Sequence, residues 1–139
     1  MKKIFSLLLL VSLMALTPCF VSCGDDNPSD TPTAEEPSIL GRWSLDKATQ
    51  LANGNEVDVT NFYGTNFCLT FLEDGTLITS DGINDVPMHW ELDGVNLNFI
   101  QAPGMPPVAY IVQLLTDTQL TIVNGTGTDY VTTMEFSRI

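Results

Sequence analysis

The side chains of this 139-residue chain that could carry chemistry are one histidine, three cysteines, a cluster of acidic turn residues and a glycine-rich turn. Their spacing argues against catalysis. His89 lies between Met88 and Trp90, so strict alternation sends it to the opposite side of a strand from those apolar neighbours. No Ser or Cys shares its face, and a general base needs a nucleophile within hydrogen-bond reach to activate. Cys19 and Cys23 belong to the N-terminal segment, which leaves Cys68 alone. No internal disulfide or thiolate metal site can then form, and Cys68 is expected to pack as a small apolar residue. Asp81, Asn84 and Asp85 offer oxygens, but without the alternating acidic spacing and terminal Glu of a calcium loop. Gly125-Thr126-Gly127 does not lead from a strand into a helix, so it reads as a turn and not as a phosphate cradle. The expectation is a protein that is not an enzyme, with no catalytic residue, no metal and no cofactor.

What remains is binding. Phe62, Tyr63 and Met105 lie in stretches that read as loops, the last within Ala102-Pro103-Gly104-Met105-Pro106-Pro107. Aromatic and Met side chains on loops stiffened by proline offer apolar area at low ordering cost, which suits a binding rim; they suit equally a cap folded over the core. Lys47 follows Trp43 and Leu45 at alternate positions. On that parity it points inward, either toward an anionic ligand head or into a buried pair, unless a bulge turns it out.

The elements that position these residues are strands. From Leu40 onward short alternating runs recur about every eight to twelve residues with turn residues between them, and no helical period stands out. Eight strands are read, over about 41–49, 66–72, 75–80, 87–92, 95–100, 107–115, 118–124 and 129–138. One face is apolar: Trp43, Leu45; Phe67, Leu69, Phe71; Met88, Trp90, Leu92; Val95, Leu97, Phe99; Tyr110, Val112, Leu114; Leu120, Ile122; Tyr130, Met134, Phe136. Glu73-Asp74-Gly75, Asp93-Gly94 and Thr116-Asp117 are tight turns, because glycine accepts the positive φ that short hairpins need. The connections 50–65, 81–86, 101–106 and 125–128 are longer. In an up-and-down meander the two sets fall at opposite ends. With eight strands the last runs antiparallel to the first, which brings Arg138 beside Trp43. Closure removes both free edges, and the expected fold is an all-β, eight-stranded antiparallel up-and-down barrel.

Gly41-Arg42-Trp43 at the start of the first strand, with Arg138 near the end of the last, resembles the lipocalin signature. In that family the Trp plugs the closed end and an Arg packs across it. Leu72-Glu73-Asp74-Gly75-Thr76 and Trp90-Glu91-Leu92-Asp93-Gly94-Val95-Asn96-Leu97 are similar to the lipocalin-like domains of bacterial lipoproteins. The resemblance covers about 39–139 and assigns barrel closure to Gly41, Trp43 and Arg138. It departs from the family in its shortness and in lacking a helix before the last strand. Thr128-Asp129-Tyr130 matches a family motif in letters only, because here it opens the final strand.

The N-terminus supplies an address. Lys2-Lys3 precede an apolar run from Ile4 to Leu16, about thirteen residues, which suits a secretion signal over 1–22 and is too short to span a membrane. Phe20-Val21-Ser22-Cys23-Gly24 resembles a lipobox, implying lipidation of Cys23 and attachment to the outer membrane. Asp25-Asp26 resembles an export signal for the cell surface. Residues 23–38 hold Pro28, Pro32 and Pro37 among Ser, Thr, Asp and Glu, a composition that reads as a disordered tether. The formal charge is −12, and loss of Lys2 and Lys3 leaves three basic against 17 acidic side chains, a formal −14. Such a surface repels nucleic acid. The partners expected are the membrane, through Cys23, and a small hydrophobic ligand, with the barrel a monomer. Cys23→Ser is predicted to abolish incorporation of radiolabelled palmitate and to move the protein out of the membrane fraction; undiminished labelling would exclude Cys23 as the acceptor.

Overall fold

A computed structural model describes residues 35–126 and 128–139. The expected signal segment, Cys19, Cys23, the expected tether as far as residue 34, and Gly127 lie outside the described residues. Nine strands and one short helix follow in chain order: β1 Gly41–Ala52, β2 Asn55–Asp58, α1 Thr60–Tyr63, β3 Cys68–Phe71, β4 Thr76–Ser80, β5 Asp85–Asp93, β6 Asn96–Ile100, β7 Val108–Leu115, β8 Gln119–Asn124 and β9 Tyr130–Arg138. Each strand from β3 to β8 pairs antiparallel with the next, and β1 pairs with both β3 and β9. The eight-stranded ring is therefore closed, as the turn parity requires, and β2 is an extra strand outside it.

The seam between β1 and β9 runs from Trp43 opposite Arg138 to Ala52 opposite Tyr130. Two residues on β1, Asp46 and Lys47, advance the register where β9 advances by one, so Asp46 forms a bulge. Its carboxylate accepts a hydrogen bond from Ser137 Oγ at 2.6 Å. Beyond the bulge the inward parity shifts from Lys47 to Ala48, which is fully buried opposite Met134. A second bulge at Gln113 on β7 has the same effect. It turns Leu114 out to solvent, against the alternation, and brings Leu115 against the core in its place.

Inside the ring, Trp43, Leu69, Phe71, Leu77, Leu97, Leu120, Ile122 and Phe136 are almost wholly buried. Each contributes on the order of 2 kcal/mol from removal of apolar surface from water. Phe71 meets Trp90 edge-on at 5.3 Å between ring centroids, and the Trp90 indole N–H donates to the Leu72 carbonyl. Three other residues of the apolar alternation are exposed. Leu92 and Val95 flank the β5–β6 turn, and Tyr130 sits beyond the last β8–β9 pair, Asn124 with Thr132. All three lie at the ends of the barrel, where the core does not extend over them.

The tight turns gather at the end where β1 begins and β9 finishes. Gly75 takes φ +83 in the β3–β4 turn, and the Asp74 carboxylate accepts from the Thr76 N–H at 2.9 Å. Arg138 closes this end. Its guanidinium lies over the Trp43 ring, with Cζ 4.3 Å from the centroid, and donates to the carbonyls of Asp117, Leu40 and Ser38. The Trp43 indole N–H donates to the Ile39 carbonyl at 2.7 Å. Residues 38–40 are thereby tied across the barrel floor.

Gly41 adjoins this clamp with φ +113, and a Cβ there would come within 2.8 Å of Arg138 Nη1. Gly41→Ala is predicted to cost about 2 kcal/mol in urea unfolding, from backbone strain and displacement of the guanidinium. Arg138→Ala removes the atom that the new Cβ meets, so the double variant is predicted to lose about 1 kcal/mol less than the two single losses combined. Strict additivity would show that Gly41 acts through its backbone alone.

Candidate functional site

At the other end of the barrel lie the connections expected to form the mouth, and one of them is more ordered than its sequence suggests. The stretch read as a loop over 50–65 contains the end of β1, the strand β2 that doubles back on it, and α1. Gly54, with φ +79, and Asn53, also at positive φ, make that reversal. Ala48 of β1 is then capped by Thr60: the Ala48 N–H donates to Thr60 Oγ1 at 2.9 Å, and the Thr60 hydroxyl donates back to the Ala48 carbonyl. These bonds seat α1 over the rim and turn Tyr63 toward Phe67, 5.3 Å away between ring centroids.

Below α1 a cavity of about 140 Å³ opens into the upper half of the barrel. Its wall is mostly apolar, from Phe67, Leu69, Met88, Phe99, Val108 and Met134. Its polar members are Tyr63, Thr79, Gln101 and Tyr110, with Gln101 exposed at the entrance. The Tyr110 ring packs on Phe99 at 4.7 Å. Burial raises the pKa of both tyrosines above the ordinary phenol value, and for Tyr110 the nearby Tyr63 raises it further. Both phenols are therefore neutral donors at any physiological pH. The Thr79 hydroxyl donates to the Val86 carbonyl.

The four residues read as a ligand rim fare differently. Tyr63 lines the cavity. Phe62, its neighbour on α1, is 87% exposed and Met105 is 54% exposed, and neither lines it. Lys47 does not point inward as its alternation with Trp43 and Leu45 predicts: the Asp46 bulge puts it on the outside of the barrel, exposed. Of the two structural alternatives open to that lysine, ejection through a bulge is the one adopted, since it leaves no charge in the core. Ile83 stands 90% exposed on the neighbouring loop.

Tyr110 and Val108 were legible as strand residues but not as part of a site. The alternation of β7 shows their facing; nothing local shows that the core leaves a void above them.

The remaining chemistry-bearing residues stay apart from this cavity. His89 is on the outer face, 3.7 Å from Glu91. Cys68 is a buried free thiol. The Asp81 carboxylate accepts from the N–H groups of Ile83 and Asn84 at 2.8 and 2.7 Å and from the Asn84 amide, so its oxygens organise their own loop. These bonds hold its pKa below the usual carboxylate value. Their contribution is present at neutral pH and is lost only as acid titrates the group.

Comparisons with protein-family models, curated proteins and solved structures return no match to this chain.

Proposed function

We propose that this protein is a non-enzymatic lipoprotein, anchored at the outer membrane through Cys23 and facing the cell surface, whose lipocalin-like barrel binds one small apolar or amphipathic molecule at its open end. The observation that carries the reading is the cavity of about 140 Å³ under α1, apolar in its wall and reached at Gln101. Well-packed cores leave few voids larger than a water molecule, so a void of this size beneath an open mouth suits a ligand. Its dimensions set the class. Sites for drug-sized ligands run from about 300 Å³ upward, whereas an engineered apolar cavity of about 150 Å³ in another protein accepts benzene. The occupant is then ring-sized, and a long acyl chain does not fit whole. Residues 38–40 join the barrel at the closed end, so the described chain leading into β1 does not obstruct the mouth.

A second reading, an interaction module that recognises a protein or glycan at the cell surface through its rim, is favoured by the exposure of Phe62 on α1 and Ile83 on the neighbouring loop. Large apolar side chains held out in water on the same rim are the usual anchors of a protein contact.

Two experiments separate these. Val108 faces inward opposite Phe99, and Val108→Phe places a ring in the cavity. It is predicted to weaken binding of toluene, followed by NMR titration, at least tenfold with the melting temperature held or raised. If the unaltered protein binds neither toluene nor any other single-ring probe, the ligand reading fails. Under the second reading, Phe62→Ser combined with Ile83→Ser lowers attachment of the labelled protein to intact cells and leaves its melting temperature and toluene binding unchanged; undiminished attachment excludes it.

A further inference from the structure

We propose that the cavity selects neutral, single-ring molecules that carry a hydrogen-bond acceptor, which the hydroxyls of Tyr63 and Tyr110 bind together. This deepens the ligand reading above and rests on it.

Charge is the first consideration. No ionised side chain lines the cavity. The cationic groups of the described residues all lie elsewhere: Arg42 and Lys47 are exposed, His89 is on the outer face, and Arg138 is fixed over Trp43 at the opposite end. A carboxylate entering the cavity would lose its water and gain no counter-charge, inside a protein that is already strongly acidic. An ammonium group fares no better, because no carboxylate lines the wall. Neutral ligands avoid both costs.

The second consideration is which polar atoms are left to use. Thr79 already donates to the Val86 carbonyl. Gln101 is at the entrance, in solvent. Among the described residues no buried side-chain polar atom lacks a partner, and neither tyrosine hydroxyl bonds to another side chain or to the backbone, so both reach the accessible space that their side chains line. Tyr63 and Tyr110 are close enough for the charge of one to oppose ionisation of the other. Two neighbouring neutral O–H donors in an apolar wall suit a carbonyl oxygen, whose two lone pairs can accept from both. The rings of Phe67 and Phe99, each packed against one of these tyrosines, give an aromatic ligand surfaces for edge or offset stacking.

The discriminating comparison uses three probes of one shape with the full chain: acetophenone, its hydrocarbon isostere α-methylstyrene, and benzoate, each titrated by NMR. Acetophenone is expected to bind about tenfold more tightly than α-methylstyrene, and benzoate at least tenfold more weakly than acetophenone. Tyr110→Phe is expected to bring acetophenone to near parity with α-methylstyrene and to leave α-methylstyrene affinity unchanged. Tyr63→Phe should do the same, and it gives an independent readout if the first variant folds poorly. A merely structural role for the hydroxyls would weaken both probes alike. Equal binding of acetophenone and α-methylstyrene by the unaltered protein, or a preference that survives both variants, overturns the polar selection and leaves the cavity reading standing. Benzoate as the tightest of the three overturns the charge exclusion. Failure of all three while toluene binds overturns this inference alone; failure of toluene as well removes the ligand reading with it.

Discussion

The structure depends on the closure of one seam. Strands β1 and β9 hold the two ends of the described fold together from Trp43 and Arg138 to Ala52 and Tyr130, and without that pairing the sheet would present two free edges and an uncovered apolar face. Arg138 secures the seam at its lower end through a cation–π contact and three carbonyls from two separate segments, residues 38–40 and Asp117. Lysine could not reproduce this, because a point charge on a flexible stem lacks the planar fork that reaches several acceptors while lying flat on an indole.

Closing one end so firmly leaves the other as the end at which the interior can open. The floor is filled by Trp43, Ile39, Phe71 and Phe136, all buried. A residual volume is left between Tyr63, Phe99, Val108 and Tyr110. That void is a matter of shape, since eight strands enclose a space about as wide as their side chains can fill.

The bulges show how a barrel reconciles a fixed hydrogen-bond ladder with an imperfect alternation. At Asp46 the extra residue expels a lysine from the interior and brings in an alanine. At Gln113 the exchange is of one leucine for the next. In both cases the backbone gives up one pairing so that the residue facing the core fits it in charge or in reach.

From its residues alone, this chain determines a good deal. Alternation, the glycine turns and the parity of eight strands specify an all-β barrel, its orientation and the meeting of Trp43 with Arg138, because side-chain period and turn conformation are local properties of the backbone. Tertiary structure decided the rest. The strand β2 and helix α1 lie in a stretch with no clear period; β2 is held by its pairing with the end of β1, and α1 is tied to β1 by the bonds between Ala48 and Thr60. Lys47 faces outward, and Leu114 with it, because the register is set by partner strands distant in sequence. The cavity exists, with Tyr63 and Tyr110 beside it, because a void is what remains when every other side chain has been placed, and no single segment of chain encodes that remainder.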